Sequence, residues 1–424
     1  MIIYKRIILY FAFSLFLVKS YGQNRPLAEL MIKSLCSEDF AGRGYINQGD
    51  LKSAGFIAET FNEIGLEKLG GDYFHHFNLD VNTIPVAKIF MDSNELKPGY
   101  DFLVSPSSGS EKGRHKVFYV SKRMLESPKA DKKVKKAIRR CYVPVIATYD
   151  KTNKTAAANI ENIKKLAQDK TIIFLKESLL WSVGRKQNKG CEIWMVDSIF
   201  NRYTEFINLD IKAEFINNYK SQNVLGYVEG TQSPDSFIVF CGHYDHLGKM
   251  GDATFYGAND NASGIAMLID MAYYFVNNPQ RYSIAFIAFG GEEAGLVGSY
   301  NHVKNPPGGM PLSKTKFVFN MDLMGSGEDG ATIVNGSIYK EEFNALTQIN
   351  DSLNYLKKIK SRGKAANSDH YFFSEAGVPS FFIYLMGEYK HYHIPSDNPD
   401  NLELGEYYDR SYLLIRDFIL YLNQ

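Results

Sequence analysis

Eight residues of metal-ligating type stand at the ends of apolar runs or in the loops beyond them. His243 closes SFIVFCGH (Ser236–His243), and Asp260 follows in YGANDNASG. Glu292 and Glu293 sit in FGGEEAG, Asp322 in NMDLMG, and His391, His393 and Asp397 in HYHIPSD. Taken singly each has a bland reading: a surface HYD loop, acids favoured at a helix start by its dipole, an aspartate N-cap. Together they recur after buried-looking strands, which unrelated loops would not do. Two imidazoles with three carboxylates suit zinc, and one shared carboxylate gives a paired site with ions roughly 3.5–4 Å apart. The expected assignment is His243, Asp260 and Asp322 to one ion, and Asp260, Glu293 and His393 to the other, with Asp260 as the bridge. Three carboxylates against two divalent ions leave a single positive charge, which a bridging hydroxide cancels.

The remaining acids take supporting roles in this reading. Asp245 lies two residues from His243 on the same side of an extended chain, where it can accept the other ring N–H. Asp397 is expected to do the same for His393. Glu292 is the expected general base, moving a proton from the bridging water to the leaving amine. Tyr392 is the expected donor to a tetrahedral oxyanion.

The elements that must position these groups are an alternation of strands and helices. SFIVFCGH, YSIAFIAFG, TKFVFNMD and VPSFFIYL are continuous apolar runs, as in strands buried on both faces. Helices are expected at Ala262–Phe275 and Tyr407–Leu422. The pattern predicts an α/β fold, a mostly parallel central sheet sandwiched by helices. Such sheets bind ligands beyond the carboxyl ends of their strands. Further upstream, Leu27–Leu35 reads as helical, and Leu51–Leu66 places Ala54, Ile57, Phe61 and Ile64 on one helix face.

The texture changes between Thr83 and Tyr219. Short β-like pieces (VAKIFM, KVFYVS, VPVIATY, KTIIFLK, CEIWMVD) alternate with basic helical stretches, of which Lys129–Arg140 is the most basic. This region is expected to be an inserted α+β lid-like domain. The resulting division is 1–22 signal peptide, 23–82 first part of the catalytic domain, 83–219 insertion, and 220–424 the main catalytic part.

Bulk properties bound the function classes. The chain has 424 residues, 45% hydrophobic and 22% charged, with net charge +1. This suits a globular protein with a full core and argues against nucleic acid as partner. Residues 1–22 read as a secretory signal: Lys5 and Arg6, then an apolar Ile8–Val18, then Ser20 and Gly22 before a cut at Gln23. A membrane anchor is the alternative, but the apolar run is short for a span. The expected location is periplasmic or secreted, with no stable membrane span after cleavage. Of the four cysteines, Cys141 and Cys191 are the expected pair if any forms, and Cys241 is expected to be a buried hydrophobe.

The motifs HYDHLG, GANDNASG, FGGEEAGLVGS, NMDLMG, SDHYFF and YHIPSD, in this order, resemble the exported dizinc aminopeptidases of metallopeptidase clan MH. That is family twenty-eight of the metallopeptidases, which also holds glutamate carboxypeptidase-like and glutaminyl cyclase-like branches. The resemblance covers Ser221–Asp400 and extends to the AGRGY segment. It implies a zinc-peptidase, phosphorylase/hydrolase-like fold and a cofactor of two Zn2+ per chain. Its ligands fall on His243, Asp260, Glu293, Asp322 and His393, its base on Glu292, its orienting acid on Asp245 and its oxyanion tyrosine on Tyr392. It also implies a cis peptide at Asp260–Asn261. The reaction it implies is release of N-terminal residues from peptide substrates. A glutaminyl cyclase-like acyltransferase, a carboxypeptidase and a non-catalytic binding module are the alternatives. The insertion matches no motif of the protease-associated domain that many relatives carry there. His370 of SDHYFF is expected to pack rather than to line the pocket.

Overall fold

The computed structural model describes residues 23–424, so the expected signal segment 1–22 lies outside the described residues. The four apolar runs are adjacent strands: Ser380–Met386, Thr315–Met321, Ser233–His243 and Tyr282–Phe289, in that spatial order. All three pairings among them are parallel, so their carboxyl ends leave the sheet at one edge. Alternation within each strand feeds two separate cores, which is why the runs are apolar without interruption. Ile238 and Phe240 join Ile284 and Phe286 in one; Phe237, Val239 and Cys241 join Ala285 and Ile287 in the other. The first core is closed by the helices Arg25–Leu35, Gly49–Ile64, Ser263–Asn277 and Glu406–Leu422. Helix Gly49–Ile64 buries Ala54, Ile57 and Phe61 and stops at Gly65, whose φ of 93° is open to glycine.

The sheet is mixed at its flanks. Phe206–Val228 runs antiparallel to Tyr282–Phe289, and Gly330–Val334 antiparallel to Ser380–Met386. Strand Ile359–Arg362 pairs parallel to Gly330–Val334 at the edge.

The insertion is tied to this sheet by two long strands. Phe74–Met91 pairs antiparallel with Phe206–Val228 from Phe74↔Val224 to Met91↔Ile207. The expected boundaries at 82/83 and 219/220 both fall inside these strands. Register shifts lie between Leu79 and Val81 and between Thr83 and Val86. Past them the sheet continues through Glu111–Val120, Tyr142–Ile146, Ile172–Lys176, Glu192–Val196 and Phe102–Val104. This part has its own core, which also takes in Leu247, Met250 and Phe255 from beyond the insertion. The basic stretch forms the helix Ala130–Arg139, burying Ala130, Val134 and Ala137.

All four cysteines are free, against the expected Cys141–Cys191 pair. Cys141 is exposed while Cys191 is buried, where desolvation pushes its thiol up to about 12. Cys241 is buried in the second core. No helix among the described residues is long and apolar enough to cross a membrane.

Candidate metal centre

His243 is the last residue of its strand, and Asp322 follows Met321 directly. Glu292 and Glu293 lie just past Phe289, and His393 lies in the loop after Met386. Asp260 comes from the tight turn Ala258–Ala262 that enters helix Ser263–Asn277. Glycines make this turn possible. Gly257 has φ 62°, and a Cβ there would stand 2.1 Å from the Asp260 carbonyl and 2.5 Å from the His246 ring. The Asp260–Asn261 peptide is cis.

These side chains line one cavity of about 190 Å³. His243 Nε2 stands 3.3 Å from Asp260 Oδ1 and 3.4 Å from Asp322 Oδ1. His393 Nε2 stands 3.2 Å from Asp260 Oδ2 and 3.4 Å from Glu293 Oε2. The two oxygens of Asp260 thus face different imidazoles. Asp260 Oδ2 and Asp322 Oδ1 are buried without a hydrogen-bond partner, although both are near imidazole nitrogens; the close approach lacks hydrogen-bond alignment. Donors about 2.0–2.1 Å from a tetrahedral ion stand roughly 3.3–3.4 Å from each other. The separations therefore fit donors aimed at a shared cation better than donors aimed at one another. A looser grouping also exists: single donor atoms of His243, Asp260 and Glu293 lie within 4.8 Å of one another, as do those of His243, Glu292 and Asp322. The shortest contacts set Asp260 between the two imidazoles.

The electrostatics call for positive charge. Burial opposes a proton on His393, yet Glu293 and Asp260 carry it up to about 11. His243 is likewise raised, against burial, by Asp322 and Glu292. Burial holds the Glu292 carboxyl well above the ordinary range; His243 opposes this and Glu293 adds to it. The buried carboxylates thus favour positive charge on both imidazoles.

Each imidazole is oriented through its other nitrogen by a backbone carbonyl. His243 Nδ1 is 3.0 Å from the Asp245 carbonyl oxygen, and His393 Nδ1 is 2.9 Å from that of Trp181. A carbonyl only accepts, so Nδ1 carries the hydrogen and Nε2 faces the cluster. This corrects the expected role of the Asp245 side chain. Its carboxylate instead accepts the backbone N–H groups of Glu292 at 3.1 Å and Glu293 at 3.3 Å. It holds the diglutamate turn rather than the imidazole. Asp397 is corrected in the same way: it accepts from Asn259 and Asp260 N–H at 2.8 and 3.1 Å and from the Tyr389 hydroxyl at 2.7 Å. His391 bonds Ser396 instead of entering the cluster.

Tyr392 lines the cavity. Its ring stacks on His393 with centroids 3.8 Å apart, and it is 48% exposed. His370 is buried against Phe382 with neither ring nitrogen bonded, and burial pushes it down to about 3. Its neighbour Ser368 donates to Asp322 Oδ2 at 3.1 Å.

Several contributors carried no role in the sequence reading. Arg43, in AGRGY, is fully buried. It donates to the carbonyls of Tyr244 at 2.7 Å, Gly257 at 2.7 Å and Asp260 at 3.3 Å, pinning both loops that flank the cluster. His246 Nδ1 lies 2.8 Å from Glu293 Oε1; its place in HYDHLG was the available signal. Asp369 is buried with both carboxylate oxygens unpartnered, and burial raises it to about 7. Trp181, from the insertion, had no signal at all.

Comparison with known proteins places this arrangement. Aminopeptidase YwaD of Bacillus subtilis is 30% identical over 202 residues, which are 45% of this chain and 43% of that protein. A probable zinc metalloprotease of Pyrenophora teres f. teres is 34% identical over 119 residues, 26% of this chain and 24% of that protein. The matched stretches thus span less than half the length of these relatives. Among solved structures, BSAP, a zinc aminopeptidase from Bacillus subtilis, superposes with a TM-score of 0.71 at 20% identity, covering 95% of this chain and 96% of that one. The aminopeptidase from Aneurinibacillus sp. strain AM-1 does so with a TM-score of 0.61 at 17% identity, covering 94% and 93%. These likenesses establish a shared fold across the insertion as well as the central sheet. Residues 223–416, which hold all five clustered donors and Glu292, match the model of peptidase family M28.

Proposed function

We propose that the protein is a zinc-dependent exopeptidase that releases N-terminal residues from peptides, with two zinc ions per chain. His243, Asp260 and Asp322 would hold one ion, and Asp260, Glu293 and His393 the other. The observation that carries this reading is the split of Asp260, one oxygen toward each imidazole at 3.3 and 3.2 Å, with Glu292 lining the same cavity. Zinc, when bound, supplies Lewis acidity toward the scissile carbonyl and the attacking water.

The chain's own residues do the rest. Glu292 takes the proton of the attacking water and returns it to the leaving amine. Asp245, through two backbone amides, keeps Glu292 and Glu293 in place. The Tyr392 hydroxyl, on a ring stacked over His393, donates to the oxyanion of the tetrahedral intermediate. Residues 23–82 and 220–424 form the catalytic part, and 83–219 a lid-like insertion that contributes the Trp181 carbonyl. The protein acts in the periplasm or outside the cell after removal of residues 1–22.

The test is digestion of a peptide library, read by mass spectrometry, on protein whose zinc content is measured. Two zinc ions per chain and stepwise loss of N-terminal residues, abolished by chelator and restored by zinc, are expected. Trimming from the carboxyl end, ring closure of N-terminal glutamine without amino-acid release, or chelator-insensitive turnover would overturn the reading.

A further inference from the structure

The cavity that holds the carboxylates also receives a cation with no partner. Arg362 ends the edge strand Ile359–Arg362 and lines this cavity together with Asn367, Phe382 and Tyr384. Ladder register explains how it gets there. Val334 is paired with Arg362 on one side and with Phe382 on the other. Directly opposed residues project to one face of a sheet, as do residues two apart. Arg362, Phe382 and Tyr384 therefore share the face that borders the site.

The guanidinium forms no ion pair among the described residues. Arg25, Arg202, Arg410 and Arg416 each meet a carboxylate, on Asp409, Asp197, Glu406 and Asp417. Among the described residues no carboxylate oxygen lies within 4.0 Å of the Arg362 guanidinium. His370, packed on Phe382, is kept neutral by burial and by Arg362 itself. Lys360, two residues earlier on the same exposed strand, adds positive charge. The pocket thus has a cluster of carboxylates suited to cations and, on the Phe382–Tyr384 face, a planar fork of five donors that matches a carboxylate. The aromatic rings beside it suit the methylenes that would carry such a group.

We propose that Arg362 receives a carboxylate of the substrate, making the enzyme selective for peptides that present a carboxylate beside the scissile bond. This rests on the peptidase reading. The carboxylate has two possible sources: an aspartate or glutamate side chain at the cleaved residue, or the free α-carboxylate of a short peptide.

The test compares wild-type protein with Arg362→Ala in two arms. The first measures kcat/KM for Asp- and Glu-headed dipeptide amides against their Asn- and Gln-headed isosteres. The second measures neutral dipeptides as free acids against their amides. Calorimetric binding of free aspartate and glutamate against asparagine and glutamine is a readout independent of turnover. In the wild type the carboxylate form is expected to be preferred by about 10- to 100-fold in one arm, the range of a hydrogen bond to a charged group. That ratio should fall toward one in Arg362→Ala, and calorimetry should follow it if the first arm responds. Arg362 is on an exposed edge strand, so unchanged thermal melting is expected and serves as the folding control. No preference in either arm, or a preference that survives in Arg362→Ala, overturns the inference. Absence of any zinc-dependent cleavage by the wild type would instead overturn the peptidase reading, and calorimetry of aspartate against asparagine and of a neutral dipeptide against its amide would still decide the role of Arg362.

Discussion

Replacing Trp181 by alanine removes an anchor that lies 212 residues from the histidine it positions. The indole stacks on Phe255 with centroids 4.7 Å apart, donates from Nε1 to the Val104 carbonyl at 2.9 Å, and is only 6% exposed. Truncating such a side chain costs about 3–5 kcal/mol of stability. The functional consequence is separate. The Trp181 backbone clamps His393 from both sides, its carbonyl accepting from Nδ1 at 2.9 Å and its N–H donating to the His393 carbonyl at 3.2 Å. Once the indole no longer holds this loop, the ring is free to turn, and Nε2 loses its aim at Asp260 and Glu293. Loss of an outer hydrogen-bond acceptor costs about 10- to 100-fold in metal affinity. His243 and Asp322 are oriented by other groups, the Asp245 carbonyl and Ser368, so in the proposed two-zinc site one ion is expected to weaken and the other to stay. Competition against a chromophoric chelator resolves the two affinities. Trp181→Phe is the companion variant: it keeps a ring on Phe255, loses the Nε1 donor at a cost of about 1–3 kcal/mol, and retains zinc affinity to within a few-fold. If Trp181→Ala loses stability but binds both ions as before, the carbonyl does not orient His393. If both affinities fall equally, the effect is global and the reasoning fails.

Two other perturbations separate chemistry from stability. Glu292→Gln is expected to lower kcat by about 10²- to 10⁴-fold while zinc content stays at the wild-type level; retained turnover would remove Glu292 as the base. Asp270, buried on helix Ser263–Asn277 with the Asn24 N–H as its donor at 3.0 Å, is raised by desolvation to about 7. Its folded form holds a proton that the unfolded chain has lost above pH ~4. Stability is therefore unaffected by this group below that pH and falls as pH rises through 7, by on the order of 4 kcal/mol at most. Asp270→Asn is expected to flatten that decline, raising the melting temperature at pH 8 more than at pH 5. An equal shift at both values would contradict it.

Local pattern was enough for much of this molecule. A strand segment buried on both faces must be apolar throughout, and Phe237–Cys241, Ile284–Phe289, Phe317–Phe319 and Phe381–Ile383 are legible for that reason. Because parallel strands deliver their following loops to one sheet edge, the polar residues after them could be expected to meet. His243, Asp260, Glu292, Glu293, Asp322 and His393 do line one cavity. What pattern could not supply was the partner of each group. Asp245 has the right spacing to reach His243 with its carboxylate, yet the turn presents its carbonyl there and sends the carboxylate to the Glu292 and Glu293 amides. The change of texture at Thr83 and Tyr219 falls within the long strands Phe74–Met91 and Phe206–Val228, whose pairing to each other could not be read from pattern.

Arg43, Trp181 and Arg362 belong to the same class of omission. Their roles depend on how distant segments come together in the fold, and each acts on residues far away in the chain. Periodicity and residue type report whether a position is buried and what chemistry it can perform. Only the assembled sheet, with its register set and the insertion joined through two long strands, decides which carbonyl an imidazole meets and which cation is left facing the pocket.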